Sequence, residues 1–466
     1  MRLLIECTYV YEHPSDNSGI QRVVRNVIKQ LPHLEPSVEC IPVMMKHDQL
    51  YRVNSLEPLE VDEGRIRRRQ WIGRLDRLQD RFWRWHDRVE QKLPFADRSL
   101  LMRRMWYWPC RATSQVIQWP LNILREQDYR AGEEPERAVP LDIEPGDQLV
   151  LLDSSWHADF FKLAESLKAR GVGIVSVMYD LIPLTHPQFC DNHLVKVFDE
   201  WFDWIARTAD GFMAISQTIS HQVEAELRLR LGSAAERQWH GYFQLGSELD
   251  LNNSGAACDP DVKRLFDGKT PVYLMVSTIE PRKNHTYLLD AFDLLWAKGA
   301  NVRLCIIGKV GWKTEALIER IKTHPEYKRR LFMFNGANDT SLEYAYANAR
   351  ALVFPSYVEG FGLPLVEAMQ RGLPAMASDI PVFREVGGDF MAYFDLDDPA
   401  SLVAQVERYE VNSVFPATRS LGEWGWVGWR EAALQLIERT QTGVALKQGR
   451  IGLDEQASSV SDIRQA

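Results

Sequence analysis

The sequence predicts an α/β protein built from two doubly wound, Rossmann-like domains that face a central cleft. The chain has 466 residues, which exceeds what one hydrophobic core normally serves and favours two domains of roughly 200 residues each. Short apolar runs alternate with amphipathic helical patterns in both halves, as expected for parallel sheets covered by helices. A segment rich in Gly, Asn, Asp and Pro separates the halves and is typical of a linker.

These patterns place the first domain at residues 1–245, the linker at 246–270 and the second domain at 271–415. A tryptophan-bearing helix is expected within residues 416–446. The remaining residues, 447–466, combine Gly, Ser and Gln with alternating charges, which predicts a disordered tail.

In the first domain, the apolar residues 3–10 predict an opening buried strand. A helix that begins near Gly19 follows, because apolar residues then recur at helical spacing. Further strands are predicted at residues 148–152, 172–178 and 211–215, the last of them just before Ser216.

The second domain shows an uninterrupted alternation of strand and helix patterns. Helices are expected from residue 285, over 341–349 and from 363. The predicted strands are 272–276, 302–307, 331–334 and 351–354.

Residues 64–130 interrupt the alternation as a helical insertion. Between Arg65 and Arg111 there are fourteen Lys or Arg against five Asp or Glu, together with five tryptophans. Apolar residues recur near helical spacing from Ile66 to Val89, with arginines around the rest. A basic, tryptophan-rich amphipathic helix of this kind binds an anionic lipid surface. The alternative is that the tryptophans pack on their own domain, and the sequence leaves both open.

Composition and charge exclude several classes of function. The formal net charge of −9 argues against a nucleic-acid partner. The six cysteines are scattered without paired spacing, so neither a disulfide framework nor a zinc site is indicated, and a cytoplasmic location is expected. The chain contains no apolar run of about 18 residues, and its apolar start is too short for a signal peptide, so no membrane span is expected.

The segment 353–372 is the most informative part of the sequence. An apolar strand pattern ends, turn-forming residues follow, and a helix opens at Leu363 with a proline in its first turn. Glycines in the turn let the backbone approach a ligand, and the free N–H groups at the helix start attract an anion such as diphosphate. The residues assigned to this anion site are Gly360, Phe361, Gly362 and Leu363.

Two carboxylates, Glu359 and Glu367, flank this anion site. A carboxylate repels phosphate, so we expect both to accept hydrogen bonds from hydroxyl groups of a sugar or ribose. The alternative is a surface Glu and a capping Glu in an ordinary strand-loop-helix unit.

A second group of polar residues follows other strands. Arg282 and Lys283 come after the strand at 272–276, where they predict a phosphate clamp, although such a pair alone is more often a solvated turn. Asp180 and His186 follow the strand at 172–178, and the carboxyl ends of parallel strands line the ligand crevice of such sheets. The alternative for His186 is a loop anchor beside Pro187.

The segment VFPSYVEGFGLPLVEAMQRG resembles the signature of the family 4 retaining glycosyltransferases of the GT-B fold, and the similarity extends with gaps over most of the chain. The resemblance implies a nucleotide-sugar donor whose ribose contacts Glu367 and whose transferred sugar contacts Glu359. The motif TIEPRKN looks most like enzymes that use GDP-mannose to build bacterial surface polysaccharides such as the O-antigen of lipopolysaccharide. The helix within residues 416–446 is then expected to cross back to the first domain.

Other positions take roles only through this resemblance. It assigns donor contacts to Gly19, Ser277, Thr278, Asn335 and Gly336. The chain departs from the family pattern at three places. Ser18 stands where a second glycine is usual, the family's basic residue near Ser277 and Thr278 is absent, and Tyr179 replaces a histidine that lies near the transferred sugar.

The sequence therefore predicts a retaining, metal-independent hexosyltransferase with no cofactor, acting on a growing polysaccharide or lipid-linked glycan. The candidate catalytic residues are Glu359, Arg282, Lys283 and Asp180, and Tyr179 and His186 are candidates for acceptor or sugar contact. The expected location is cytoplasmic, with peripheral contact at the inner membrane face. Two alternatives remain open: a nucleotide-sugar epimerase or phosphorylase of the same fold, and a non-catalytic protein that binds glycan or membrane.

Overall fold

The structure is a computed structural model of the whole chain. It describes residues 1–14, 16, 19–34, 37–46, 48–56, 68, 71–79, 81–83, 114–116, 118–127, 137–157, 160–246, 248 and 257–463. The chain divides into two compact units, one formed by residues 1–49 and 142–466 and the other by residues 50–141.

The strands and helices are numbered in chain order. The strands are β1 (Arg2–Glu6), β2 (Glu39–Lys46), β3 (Gln49–Val53), β4 (Ala138–Pro140), β5 (Gln148–Leu151), β6 (Gly173–Met178), β7 (Gly211–Ala214), β8 (Trp239–Tyr242), β9 (Val272–Val276), β10 (Arg303–Ile307), β11 (Leu331–Phe334), β12 (Ala351–Phe354), β13 (Ala375–Ser378) and β14 (Ala392–Phe394). The α-helices are α1 (Thr8–Glu12), α2 (Gly19–Gln30), α3 (Phe161–Ala169), α4 (Ile182–Thr185), α5 (Asn192–Thr208), α6 (Gln217–Leu231), α7 (Pro260–Phe266), α8 (His285–Ala297), α9 (Glu315–Thr323), α10 (Asp339–Asn348), α11 (Leu363–Gln370), α12 (Pro381–Gly387), α13 (Pro399–Asn412) and α14 (Trp429–Ile463).

The larger unit contains two parallel sheets, which define an N-terminal and a C-terminal lobe. The N-terminal sheet has the order β2-β1-β5-β6-β7-β8, and its neighbouring strands run parallel. The C-terminal sheet has the order β11-β10-β9-β12-β13-β14 and is likewise parallel. Each sheet therefore reverses its strand order once, between β1 and β5 and between β9 and β12.

The C-terminal sheet is buried on both faces because helices cover each side. Alternate residues of β10 point to opposite faces. Leu304 and Ile306 lie in a core formed with α8 and α13, whereas Cys305 and Ile307 lie in a second core formed with α10 and α11. The continuous apolar runs that predicted these strands are the sequence signal of such double-sided burial.

Two strands of the N-terminal lobe differ from the sequence analysis. The opening strand was predicted to reach residue 10 but ends at Glu6, because the Glu6 carboxyl accepts from the N–H of Thr8 over 2.7 Å where α1 begins. Strand β8, which pairs with β7, was not predicted. With the sequence WHGY, β8 has polar residues and a glycine and lacks an apolar run.

The predicted linker, 246–270, contains a short helix. Asp259 caps α7 by accepting from Asp261 N over 2.8 Å, Pro260 occupies the first turn, and Val262 and Leu265 are buried. Residues 249–256 of this linker lie outside the described residues.

The C-terminal helix α14 returns to the N-terminal lobe, where it contacts β8 and α2. Its backbone stays helical to Ile463, although a disordered tail was predicted from residue 447. Glycines interrupt this stretch but prolines do not, and residues such as Ala, Leu, Lys and Gln favour helix.

In the smaller unit, β3 pairs with β4 in antiparallel orientation, with Tyr51 opposite Pro140. Residues 71–79 and 118–127 are helical, and Arg125 pairs with Asp76 over 2.9 Å. Most of the basic insertion predicted at 64–130 lies outside the described residues. No helix within the described part of the chain is long and apolar enough to cross a membrane.

Candidate functional site

The reversal of strand order in the C-terminal sheet brings the candidate catalytic residues together. Strands β9 and β12 are neighbours, with Tyr273 opposite Ala351. Arg282 and Lys283 follow β9 in a 3₁₀ turn, and Glu359 lies in the loop after β12. Ligands of open α/β sheets bind where strand order reverses, outside the carboxyl ends of the strands.

Glu359 is the centre of a buried ion cluster. Arg282 Nη1 donates to Glu359 Oε2 over 2.7 Å, and Lys283 Nζ donates to Glu359 Oε1. Glu359 and Lys283 are each only 7% exposed. Burial opposes ionisation of the Glu359 carboxyl, but the two cations outweigh it and lower the pKa of Glu359 to about 2. The carboxylate is therefore ionised at neutral pH and holds both cations in place.

Two further carboxyl groups border the cluster. Glu280 Oε1 lies 2.8 Å from Arg282 Nη2, and burial raises the pKa of Glu280 despite that contact. Asp180, which follows β6 in the N-terminal lobe, accepts from Ile182 N over 3.0 Å. Desolvation raises the pKa of Asp180, and the charge of Arg282 opposes this rise. A carboxyl group of the N-terminal lobe therefore interacts electrostatically with Arg282 of the C-terminal lobe.

Lys283 is held by its surroundings as well as by its charge. Its Nζ lies 5.1 Å from the centroid of the Phe354 ring, a cation–π contact. Burial and the adjacent Arg282 lower the pKa of Lys283, although Glu359 opposes the shift.

The two glycines of the loop after β12 have different roles. Gly362 caps α11 in a left-handed conformation, with φ of 105°. Gly360 is required by the N-terminal lobe, because a Cβ there would lie 2.0 Å from the carbonyl oxygen of Tyr179. Ser216 Oγ also donates to Gly360 O over 3.0 Å. The absence of a side chain at Gly360 thus allows the lobes to touch, and its approach to a ligand stays a prediction.

The other residues of the predicted anion site flank these glycines. Phe361 is buried and its ring lies 5.8 Å from that of Trp426, and Leu363 is the first residue of α11. Pro364, in the first turn of α11, has no N–H, and Leu365 N donates to Gly362 O over 2.9 Å, so Leu363 supplies the available N–H of this helix start.

Glu367 is engaged by both lobes. Arg22 Nη2, from α2 of the N-terminal lobe, lies 2.5 Å from Glu367 Oε1. Tyr346 OH, from α10, donates to Glu367 Oε2 over 2.9 Å. Glu367 itself is buried. The sequence predicted the position of Glu367 after the loop but not these two partners, which lie far from it in the chain.

Tyr179 and His186 differ in their surroundings. Tyr179 is buried and donates its hydroxyl to Leu152 O over 2.7 Å, so it supports the N-terminal lobe, and its sugar contact stays a prediction. His186 is half-buried, and its ring stacks on Phe189, which in turn stacks on Tyr357 of the C-terminal lobe with centroids 5.3 Å apart. His186 therefore belongs to an aromatic contact between the lobes.

The remaining predicted donor residues lie in separate loops. Gly19 is exposed at the start of α2, and the neighbouring Ser18 lies outside the described residues. Ser277 is buried with its Oγ 3.4 Å from His285 Nε2, and Thr278 is exposed. The exposed pair that follows β11 is Asn335 and Gly336, and Asn335 Oδ1 accepts from Val310 N over 3.3 Å.

The N-terminal lobe has a carboxyl pair of its own that the sequence analysis missed. Glu6 is the last residue of β1 and Asp153 follows β5, at the reversal of strand order, and both are buried. Glu6 Oε2 accepts from Asp153 N over 3.0 Å, and Asp153 Oδ2 accepts from Val10 N over 2.8 Å. Burial and the charge of Asp153 raise the pKa of Glu6 to about 8. An acidic residue directly after an apolar strand, as in RLLIE and LVLLD, is the signal that points to the pair.

The arrangement offers positive charge from side chains. Within the described residues, no group of three or more His, Cys, Asp or Glu side chains is placed to hold a metal ion. Arg282 and Lys283 both contact the loop that leads into α11, where their charges can stabilise negative charge that develops on a phosphate oxygen.

The ion pairs of Glu359 predict a pH-dependent stability. Because the pKa of folded Glu359 is depressed, its contribution to the free energy of unfolding is complete above about pH 4.5 and declines as the pH falls toward 2. In Glu359→Gln, the free energy of unfolding should lack the part of its decrease at low pH that this carboxyl causes. The same variant should be less stable at neutral pH by about 3 kcal/mol or more, because Lys283 loses a buried ionised partner. Urea unfolding followed by tryptophan fluorescence between about pH 3 and 7 measures both effects.

The matched control is Glu319→Gln, which changes an exposed glutamate on α9 and should unfold as the wild type does. An E359Q variant whose stability falls with pH as steeply as that of the wild type would contradict the assignment of the shift to this carboxyl.

Comparison with known proteins covers both the sequence and the fold. Residues 261–423 match a family model described as glycosyl transferases group 1. The chain is 31% identical over 308 residues to the serotype-specific mannosyltransferase WbdA of Escherichia coli. The matched region covers 63% of this chain and 37% of that protein. It is 34% identical over 257 residues to the O-antigen chain mannosyltransferase B of E. coli, covering 54% of this chain and 64% of that protein. The chain thus spans about a third of the first relative and less than two thirds of the second.

A solved structure of sucrose-phosphate synthase from Thermosynechococcus elongatus matches the fold with a TM-score of 0.50 and 16% identity, covering 98% of this chain and 100% of that one. Together with the two parallel sheets, this similarity confirms the predicted GT-B fold.

Proposed function

We propose, from the premise that residues 261–423 belong to the glycosyl transferases group 1 family, that this protein transfers a sugar from a nucleotide-diphosphate donor to a growing polysaccharide. The observation that supports the proposal most directly is the ion cluster of Arg282, Lys283 and Glu359 beside the first turn of α11. Two cations and an ionised carboxylate lie together in the loops that precede α11. The cations suit a charged diphosphate, and the carboxylate suits the hydroxyl groups of the neutral sugar joined to it.

The proposed step needs no nucleophilic side chain. The bond between the sugar C1 and the β-phosphate oxygen breaks, and its electron pair stays on that oxygen, where Arg282, Lys283 and the α11 N–H groups stabilise the charge. The acceptor hydroxyl oxygen forms the new bond to C1 on the same face. Its proton passes to the departing phosphate oxygen, so the configuration at C1 is retained. Glu359 holds hydroxyl groups of the transferred sugar, and Asp180 lies beside Arg282 on the opposite lobe.

Glu367 is proposed to hold the ribose hydroxyls of the donor. It is buried beside Tyr346 and lies one helical turn after the start of α11, on the same element as the anion site. Its contact with Arg22 supports a ribose site at the meeting of the two lobes. A donor bound there would contact both lobes and exclude water from the reacting sugar.

Mannose from GDP-mannose is the proposed donor, and a bacterial surface polysaccharide is the proposed acceptor. The support is that the names of several relatives describe mannosyltransferases, two of them of the O-antigen chain. The motif TIEPRKN, which carries Arg282 and Lys283, agrees with this donor class.

Lys283→Met tests the proposed role of the cluster. Methionine keeps the volume of the buried stem but removes the charge, and losing one preorganised contact to the leaving group is expected to lower kcat by about 100-fold to 1000-fold. The measurement is mannose transfer from GDP-mannose to a mannose oligosaccharide acceptor, with the melting temperature recorded to verify folding.

Lys298→Met is the matched control, because Lys298 is exposed and pairs with Glu407 at the surface. It should transfer mannose at the wild-type rate. If K283M were folded and kept kcat within a few-fold of the wild type, the proposed role of the cluster would be lost.

Because side chains supply the positive charge, we expect transfer to proceed without a metal ion. The rate with GDP-mannose should be the same with and without excess EDTA, and UDP-glucose or ADP-glucose should give no transfer. Activity that EDTA abolishes and Mg²⁺ or Mn²⁺ restores would refute the metal-free step, and transfer from another donor alone would refute the choice of GDP-mannose.

The smaller unit is proposed to contact the inner membrane face. Its described helices expose Trp71 (54%) and Trp119 (72%) together with Leu78, and arginines such as Arg74 lie on the same helix as Trp71. Exposed tryptophans next to basic residues are the composition that binds an anionic lipid interface.

Vesicle sedimentation tests this contact. The wild type should sediment with vesicles that contain phosphatidylglycerol and stay in solution with pure phosphatidylcholine. The double variant Trp71→Ser/Trp119→Ser should lose most of this binding, whereas Leu229→Ser, an exposed apolar change in the larger unit, should keep it. Equal sedimentation of the double variant and the wild type would contradict the proposed surface.

A further inference from the structure

A concave surface, here called the edge groove, runs along the open edge of the N-terminal sheet. Its volume is about 1730 Å³. One wall is a stripe of α6 from Gln217 to Arg228, the other is a stripe of α14 from Arg439 to Lys447, and the floor is β8. Sites for small molecules usually measure about 300 to 1000 Å³, so the groove has room for an oligomeric ligand.

The floor and one wall of the edge groove are fixed by close packing. The indole of Trp239 lies between two glycines, Gly211 of β7 and Gly443 of α14, where added Cβ atoms would lie 2.0 Å and 2.3 Å from it. Arg439 donates to Tyr242 O, and its guanidinium carbon lies 4.6 Å from the centroid of the Tyr242 ring. A groove that is already formed loses little conformational entropy when a ligand binds.

The edge groove begins at the junction of the two lobes. The N–H groups of Gln217 and Thr218, in the first turn of α6, donate to the two oxygens of Glu385 over 2.7 and 2.8 Å. Ser216, which caps α6, donates to Gly360 in the loop of the candidate site. From Gln217 to Arg228 the groove follows α6 for about 17 Å, at 1.5 Å per residue.

The lining of the groove combines charged, polar and apolar groups. Arg228 pairs with Glu224 over 2.7 Å, and Lys447 pairs with Asp210, whereas Arg439 donates to a backbone carbonyl. Burial lowers the pKa of His240, so its ring is neutral at physiological pH. The polar groups offer both donors and acceptors, and residues such as Tyr242 and Leu446 add apolar surface.

We propose that the edge groove binds a stretch of the acceptor polysaccharide several sugars away from its reacting end. A hydroxyl group both donates and accepts hydrogen bonds, so an uncharged sugar chain matches a lining of paired charges, imidazoles, amides and hydroxyls. The groove leads away from the lobe junction, where the reacting end must lie, and its length suits a chain of sugars. This inference rests on the proposed function, because it takes the same acceptor and gives it a second binding site.

Thr442→Trp tests the proposal by filling the groove from α14. Thr442 is exposed, and its hydroxyl donates only within the helix, to Glu438 O, so the change should not disturb folding. Calorimetry with a linear mannose hexasaccharide should show at least 10-fold weaker binding than the wild type. Gln448→Trp, an exposed position on the same helix outside the groove, should bind as the wild type does.

Activity on acceptors of two lengths separates this proposal from the function on which it rests. T442W should raise KM for the hexasaccharide about 10-fold and leave the transfer rate to a mannose disaccharide unchanged. Ser220→Trp on α6, with Leu229→Trp as its control, repeats the test from the opposite wall if T442W is unstable.

Two results would overturn the edge groove as a glycan site. In the first, the wild type transfers to the disaccharide but calorimetry detects no binding of the hexasaccharide. In the second, T442W and Q448W bind the hexasaccharide equally. A wild type that transfers to neither acceptor would overturn the proposed function. Hexasaccharide binding that T442W weakens would then still identify the groove as a glycan site.

Discussion

The pairing of Glu359 with Arg282 and Lys283 determines how the loops after β9 and β12 meet. An ionised carboxylate away from water costs several kcal/mol unless cations and hydrogen bonds compensate it, and Lys283 is under the same constraint. Neither loop can therefore take its position alone. Tyr357 N donates to Arg282 O over 2.9 Å and adds a backbone contact between the same loops. Once they are joined, the loop that leads into α11 lies beside the two cations, which brings the predicted anion-binding elements together.

The segment that carries this site is also the segment that the N-terminal lobe contacts. Gly360 lies against the carbonyl of Tyr179 and accepts from Ser216, whereas Glu367 pairs with Arg22. One contact lies in the loop before α11, and the other lies inside α11. Under the proposed role of Glu367 in holding the donor ribose, donor binding and the arrangement of the lobes depend on the same carboxylate, because Glu367 also pairs with Arg22. A donor can shift the lobes only as far as it interacts differently with their alternative arrangements.

The sequence predicted those parts of the fold whose signal is local. The strands 331–334 and 351–354 and the start of α11 coincide with their predicted bounds, because continuous apolar runs and a proline in the first turn mark them. The short polar strand β8 carries no such run. Partners such as Arg22 and Glu367 lie 345 residues apart, and an arginine on an amphipathic helix gives no sign of what it will contact. The sequence also could not predict that Tyr179 donates to Leu152 O, since a tyrosine after a strand can point into the core or toward a ligand.

The ion cluster also answers a difficulty in the sequence argument, where a glutamate beside a phosphate site looked repulsive. In the structure, Glu359 neutralises the cations that the proposed reaction needs. When a nucleotide sugar binds under the proposed mechanism, phosphate oxygens can replace Glu359 as partners of Arg282 and Lys283, while sugar hydroxyls replace the cations as donors to Glu359. Each ion then exchanges one partner for another, and none is left buried and unpaired, which would cost several kcal/mol. A site built from cations alone would need anions from solvent before the donor arrived. The adjacent carboxylate makes that unnecessary, and it also fixes where the sugar must lie relative to its phosphate.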